Sequence, residues 1–317
     1  MFNENFLKYL DYQLKLYNLN HSVFEKSLKF IEKENIEIIE TEKYFLKKNT
    51  LLPEYIFLKG NKDYLKRFKI GMVGTRKPDN YGLKSVKRII DGYRDKDVVT
   101  VSGFAQGVDT YVHKTSLENG IGSIAVIPCG FAINYPSSNI ELKNRLFEKG
   151  LLLSEYSPFI KPYKHNFIKR NFMIAFLSDI MIIIQGAVKS GTLSTFLFSL
   201  KLKKQIFALP GDTDNKLSFA PNFAIFKGAI PLYKMDILPG ISSGEIGNVS
   251  LKINVHLEPE EKKVIELVKK YGNLEDILKE NIFDKSKILS IITLLEMKGI
   301  VQKDFNNRIR LMEDFDG

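Results

Sequence analysis

Between residues 69 and 233 the chain alternates two patterns. Short apolar runs, KIGMVG, DVVTVSG, SIAVIPCG, LLLSEY, IMIIIQG, QIFALPG and IPLY, have the length of strands. Between them lie amphipathic segments of helical length, such as YGLKSVKRIIDGY, VDTYVHKTSLEN, SSNIELKNRLFEK and GTLSTFLFSLKLKK. Near-continuous Val/Ile/Leu runs belong to strands covered on both faces. They predict an α/β, doubly wound, mostly parallel sheet with helices on each side. Five of the seven runs end at or next to Gly, so glycine turns line the predicted carboxyl edge. Open α/β sheets bind their ligands there.

The flanks follow other patterns. Residues 1–57 repeat apolar positions at helical spacing, in NFLKYLDYQLKLYNL and again in HSVFEKSLKFIEKENIEIIE, and predict a helical N-terminal region. Residues 58–238 then form the sheet domain. Residues 236–252, DILPGISSGEIGNVSLK, are rich in Pro, Gly and Ser and place a linker at 239–254. In 255–317, LEPEEKKVIELVKKYG, NLEDILKENI and DKSKILSIITLLEMKG read as three helices. IVQKDFNNRIRLM reads as a hairpin turning at Asn306-Asn307. That order predicts a C-terminal winged-helix-like domain.

Composition narrows the function classes. At 317 residues and 44% apolar content the chain can bury a sizeable core. No apolar run reaches membrane length. The start, MFNENFLKYLDYQLKLY, has no basic segment followed by an apolar one, so no secretory signal is expected. The single cysteine, Cys129, excludes an internal disulfide and any multi-Cys metal site, and suits a reducing cytosol. The net charge of +10 is unevenly placed: residues 1–57 carry −1, residues 251–317 carry −1, and residues 58–250 carry +12. A lysine-rich solvated surface is one explanation. An excess confined to one domain fits a polyanionic partner better.

Four motifs lie along the predicted carboxyl edge. In KIGMVGTRKPDNYG, residues 69–82, a strand runs through Gly74 and Thr75 toward a helix start, where helix N–H groups favour anions. It lacks both the Lys-Ser/Thr of a Walker loop and the spacing of a dinucleotide loop. In SGFAQGVDTYVH, residues 102–113, Asp109 and His113 share a helix face but have no third ligand or nucleophile nearby. A helix-anchoring role is expected of them. In KPYKHNFIKRNF, residues 161–172, lysines and arginines interleave with aromatic rings. Cations can track phosphates while a ring accepts an unpaired base, so Lys164, Phe167 and Arg170 are expected to bind, and Phe172 to be core. In AVKSGTLSTF, residues 187–196, Ser190, Gly191 and Thr192 open a helix and can approach an anion, with Ser190 as a helix N-cap. The Pro-Gly turn of ALPGDTD, with Asn222 downstream, is a weaker signal. No acidic residue follows the second strand, as dinucleotide binding requires. Neither a Ser-His-Asp set nor a carboxylate pair is evident, and Cys129 lacks an activating His.

Taken in order, GMVGTRKPDNYG, SGFAQGVDTYVHKTSLENG, IAVIPCGFAINYP, LLLSEY, NFIKRNFMIAFLSD, SGTLSTFLFSLKLKKQIFALPG and PNFAIFKGAI resemble the DNA-processing protein A (DprA/Smf) family across the whole of 69–233. The resemblance implies an extended Rossmann-like fold that binds single-stranded DNA, dimerises, and catalyses nothing. It implies a mediator that protects incoming strands in natural transformation and helps load RecA recombinase, in the cytoplasm and without a cofactor. The family's pocket arginine falls on Arg76, and its Lys and Phe three apart fall on Lys164 and Phe167. Many relatives have an acidic residue where Gln185 stands, and a Gly where Ala220 stands. The expected DNA-binding set is thus Gly74, Thr75, Arg76, Lys164, Phe167, Arg170, Ser190, Gly191, Thr192 and Asn222. Arg76 would clamp a phosphate, and Thr75 with the turn's N–H groups would hold one at the helix start. The alternative is a nucleotide-processing phosphoribohydrolase. Such enzymes carry a Pro-Gly-Gly-x-Gly-Thr turn and a downstream catalytic Glu. Here Lys189-Ser190-Gly191-Thr192 is followed by Leu-Ser-Thr-Phe, with no acid.

Overall fold

A computed structural model describes residues 2–45, 51–241, 257–280, 282–298, 300–303 and 308–311. The chain forms two compact units, Met1–Val249 and Ser250–Gly317. The expected linker lies almost wholly outside the described residues.

The seven apolar runs all form strands: β3 (Phe68–Val73), β4 (Val98–Ser102), β5 (Gly122–Ile127), β6 (Leu151–Ser154), β7 (Ile180–Ile183), β8 (Gln205–Ala208) and β9 (Ile230–Pro231). Two strands precede them, β1 (Glu37–Glu40) and β2 (Tyr55–Gly60). The sheet order is β1-β2-β6-β5-β4-β3-β7-β8-β9. Every neighbouring pair from β6 to β9 is parallel, whereas β2 joins β6, and β1 joins β2, antiparallel. Strands β4 to β7 are buried at every position, as their unbroken apolar runs require. The order reverses direction at β3, so the loops after β3 and β7 flank the topological switch point where such sheets hold ligands.

Helices cover both faces. α1 (Glu4–Leu16), α2 (His21–Lys33) and the short α3 (Thr41–Phe45) come first. α4 (Asn80–Gly92), α5 (Val108–Glu118), α6 (Ile140–Lys149), α7 (Lys164–Leu177), α8 (Gly191–Lys201) and α9 (Phe219–Phe226) alternate with the strands. One core packs Val86, Ile89 and Ile90 of α4 and Val112 of α5 on Ile70, Met72, Ile182 and Phe207. Another packs Phe6, Leu10 and Leu14 of α1 with Tyr55, Phe57, Ile127, Leu146 and Leu152.

That second core corrects the reading of 1–57 as a separate helical region. α1 covers β2 and β5, and β1 and β2 extend the main sheet. EIIE is too short for its period to distinguish strand from helix. Gln13, buried among apolar neighbours, completes the docking. Its amide donates to the Glu155 carbonyl at 2.7 Å, and its Oε1 accepts from the Ser157 N–H at 2.8 Å. Burying Phe6, Leu10 and Leu14 favours this docking by about 1.5–3 kcal/mol each.

The second unit comprises α10 (Pro259–Tyr271), α11 (Leu274–Lys279), α12 (Lys285–Met297) and an antiparallel pair, β10 (Val301–Lys303) and β11 (Ile309–Leu311). Its own core gathers Val264, Val268, Ile277, Ile288, Ile292 and Leu295. The turn expected at Asn306-Asn307 lies outside the described residues.

Candidate nucleic-acid interface

The loop after β3 is fixed by its neighbours. The Thr75 N–H donates to the Gln185 carbonyl at 2.7 Å, and the Val108 N–H donates to the Thr75 carbonyl at 3.1 Å. Gly107 (φ +80°) admits this approach, because a Cβ there would stand 2.4 Å from the Thr75 oxygen. A Cβ on Gly74 would likewise meet Val108 at 2.6 Å. Both polar backbone groups of Thr75 are therefore engaged, and its hydroxyl accepts from the Lys77 N–H at 3.3 Å.

The helix start beyond the loop is also taken. The Asp79 carboxylate caps α4, accepting from the Gly82 N–H at 2.9 Å, from Gln185 Nε2 at 2.8 Å and from Asn215 Nδ2 at 3.0 Å. Burial by itself would raise its pKa, but these hydrogen bonds hold the carboxyl below its usual value. A phosphate held at the start of α4 by Thr75 and the turn's N–H groups is therefore corrected: a carboxylate occupies that place. Gln185 serves this network by binding Asp79, a job an acid there could not do without repulsion.

What the loop presents is Arg76. Its side chain is exposed and stands 5.6 Å from the centroid of the Phe167 ring. Phe167 lies in the first turn of α7, half-buried, in an edge-to-face pair with Tyr135 at 5.7 Å and 77°. Beside Arg76 opens a cleft of about 320 Å³, lined further by Gln106, Asn134, Tyr135, Pro136 and Ser137. Lys164, three residues before Phe167, is exposed on the same turn. Among the described residues no carboxylate pairs with Arg76, Lys77, Lys161 or Lys164, whereas Arg67 pairs with Asp97 and Arg94 with Asp91. Arg76 is thus brought to Phe167 and its helix turn from some ninety residues away in sequence.

Arg170 departs from expectation. Its guanidinium also lies near the Phe167 ring, at 5.8 Å, but from the inside. The residue is 6% exposed. It donates to the Gly103 carbonyl, to the Val126 carbonyl at 3.4 Å and to Asn171 Oδ1 at 3.0 Å. On a helix whose inner face crosses β5, β4 and β3, position 170 points into the protein. Arg170 is therefore a buried strut that ties α7 to the ends of β4 and β5, and is not a surface contact.

The Ser190-Gly191-Thr192 turn sits at the carboxyl edge of β7, next to β3. The Gly191 carbonyl accepts from Asn171 Nδ2 at 3.3 Å and from Ser194 Oγ at 2.7 Å. Thr192 is buried. Ser190 takes the N-cap position but makes no capping bond, and its Oγ is buried without a partner. The expected N-cap bond is thus absent. Asn222 clasps Gly211, donating to its carbonyl at 2.9 Å and accepting from its N–H at 3.2 Å, and so holds the Pro-Gly turn.

Asp109 and His113 do not bind each other. Asp109 accepts from the Ala105 N–H at 3.3 Å, and His113 Nδ1 lies 2.7 Å from Ser123 Oγ. Burial raises the Asp109 pKa, with Arg170 opposing, and burial pushes His113 down to about 3. Both anchor α5, as expected. Cys129 is buried and its thiol is pushed up to about 12 by that burial. No group of three or more potential metal ligands occurs among the described residues, and no described helix is long and apolar enough to cross a membrane.

Tyr135, Asn134 and Gln106 were missed as residues of the cleft. The Asn-Tyr-Pro turn after β5 carried the available signal, an aromatic residue in a loop on the same edge.

Comparison with known proteins agrees with this arrangement. A family model for DNA recombination-mediator protein A matches residues 36–239. The DNA processing protein DprA of Streptococcus pneumoniae is 38% identical over 177 residues, covering 56% of this chain and 62% of that protein. Protein Smf of Escherichia coli is 32% identical over 212 residues, covering 65% and 56%. The match spans less than two thirds of the length of these relatives. Among solved structures, DprA from S. pneumoniae superposes with a TM-score of 0.60 at 31% identity, covering 69% of this chain and 77% of that one. DNA processing protein A from Helicobacter pylori, solved to explain its single-stranded DNA binding mode, gives 0.57 at 28%, covering 63% and 92%. The sheet order, the switch-point loop and these matches together show that the chain belongs to the DNA recombination-mediator protein A (DprA/Smf) family.

Proposed function

We propose that this protein binds single-stranded DNA at the carboxyl edge of its sheet, protects incoming strands in natural transformation, and helps load RecA recombinase. It does so without catalysis. The observation that carries the reading is the exposed Arg76, without a carboxylate partner among the described residues, over the half-buried ring of Phe167, with Lys164 one turn away. A guanidinium takes a phosphate through two parallel N–H donors, and a ring accepts a base that no partner strand covers. Duplex DNA hides that base face. Thr75, Gly74, Gln185 and Gly107 set the position of Arg76, while Ser190, Gly191, Thr192 and Asn222 shape the neighbouring loops.

The protein acts as a homodimer. On α9 and just beyond β9, Phe226 is 78% and Tyr233 71% exposed, next to the open edge of the sheet. Rings exposed to that degree at a strand edge fit self-association.

The test is fluorescence anisotropy with single-stranded and duplex oligonucleotides of one sequence, with a nucleotide-hydrolysis assay as control. Preference for the single strand, and no hydrolysis, is expected. Equal or tighter duplex binding contradicts the reading. Phe226→Asp should give a monomer by light scattering.

A further inference from the structure

We infer that the DNA path continues from Phe167 onto a second base-stacking face, built by Tyr17, Tyr163 and His165, so that the N-terminal helical region is part of the interface. The inference rests on the single-stranded DNA reading of the Arg76 cleft. Tyr17 closes α1, and Tyr163 and His165 stand at the start of α7. Their ring centroids lie 5.2 Å (Tyr17–Tyr163), 5.7 Å (Tyr17–His165) and 5.9 Å (Tyr163–His165) apart, at interplanar angles of 31°, 22° and 10°. Core ring pairs of this protein take both arrangements: Phe6 crosses Phe57 at 68° and Phe172 crosses Phe198 at 80°, while Phe172 lies 26° from Phe176. Three near-parallel rings that all adjoin one another make an aromatic face onto which a further flat ring can stack.

That face is open and held in place. Tyr163 is 41% exposed and His165 is exposed too. The Tyr17 hydroxyl donates to Asn166 Oδ1 at 2.8 Å and lies 3.1 Å from His165 Nε2. Asn166 is itself buried and donates to the Pro128 carbonyl at 3.0 Å, so the Tyr17 ring is oriented before any ligand arrives. Partial burial, with Lys169 nearby, lowers the His165 pKa, which favours a neutral ring that can stack.

Two features say what covers the face. Lys161 and Lys164 flank it, exposed and without a carboxylate partner among the described residues, so its occupant is anionic. Tyr163 also precedes Phe167 by four residues, about one helical turn or 5.4 Å along the axis. A nucleotide leaving Phe167 toward the start of α7 meets it next. An aromatic, cationic surface continuous with a base platform fits the following bases of the same strand.

The protein contains no tryptophan, so Tyr163→Trp supplies a single reporter. Its fluorescence and the anisotropy of labelled oligothymidine are followed together, with oligomers of roughly 5 and roughly 15 nucleotides. The long oligomer should quench the reporter. Tyr163→Ala should weaken long-oligomer binding about tenfold, the worth of one stacked base, and short-oligomer binding far less. Tyr163→Phe should restore it. Anisotropy that rises without quenching, or a Tyr163→Ala protein that melts earlier yet binds both oligomers normally, overturns the second face and leaves the Arg76 cleft standing. If neither oligomer binds, the cleft and the second face fall together.

Discussion

Cations at the carboxyl edge of the sheet and cations in the C-terminal unit are used differently. In the C-terminal unit Lys287 pairs with Glu260, Lys298 with Glu261, Lys270 with Glu280 and Lys279 with Asp276. Around Phe167, Arg76, Lys77, Lys161 and Lys164 are exposed with no paired carboxylate among the described residues. The C-terminal unit also keeps exposed lysines with no paired carboxylate among the described residues, Lys262, Lys263, Lys269 and Lys285 among them, but residues 251–317 carry a net −1 whereas residues 58–250 carry +12. Net charge, more than pairing, therefore separates the two regions as partners for a polyanion. A second division lies around Phe167, where Arg76 faces solvent and Arg170 serves carbonyls inside.

The largest expected effect comes from confusing those two arginines. Arg170→Ala strands the Gly103 and Val126 carbonyls and the buried Asp109. It should cost about 3–5 kcal/mol of stability, seen as a sharp loss in thermal melting. Arg76→Ala should leave the melt unchanged, and an equal loss from both would erase the distinction.

Phe167→Ala comes next. Losing a base platform should weaken single-strand binding by about 1–3 kcal/mol. The salt dependence should stay as it was, because stacking releases no counterions. A lower melting temperature with normal binding would make Phe167 core.

Acid stability should show a smaller effect with two opposed parts. His113 falls from 6.5 to about 3 by burial, so between those values the unfolded chain binds a proton that the folded chain refuses, and stability drops as pH falls. Glu155, buried with an unpartnered Oε1, is pushed up from 4.5 to about 7 by that burial, against Lys169 and a Tyr156 hydrogen bond. Between 4.5 and 7 its folded form holds a proton that the unfolded form has lost, so stability drops as pH rises through that window. Melting curves of Glu155→Gln should lose the second decline and keep the first.

Removing residues 251–317, which carry a net −1, should have the least effect. Single-strand affinity should fall by less than about tenfold, or 1.4 kcal/mol. A greater loss in a folded protein would mean that the C-terminal cations contact DNA despite the segment's net negative charge.

The sheet was legible because β3 to β8 are buried on both faces, and such strands are written as unbroken apolar runs. β1 was not, since four residues carry too little period, and its place in the sheet depends on pairing with β2, which carries no motif of its own. At the site, residue types announced Lys164 and Phe167 locally, and the resemblance supplied Arg76. The sequence around Arg170 looks equally basic and aromatic. Only the direction of α7 across the sheet separates inward from outward positions, and a low-amphipathicity helix hides that direction. Asp79 was overlooked because a capping carboxylate and an anion site want the same N–H groups.

The central claim is that unpaired cations beside Phe167 hold DNA phosphates. Its most direct measurement is the salt dependence of single-strand affinity for the wild-type protein and for Arg76→Ala with Lys164→Ala. Each phosphate contact contributes a log–log slope of about −0.7, so the double variant should bind more weakly and with a slope shallower by roughly 1.4. A double variant with unchanged affinity and slope would contradict the account.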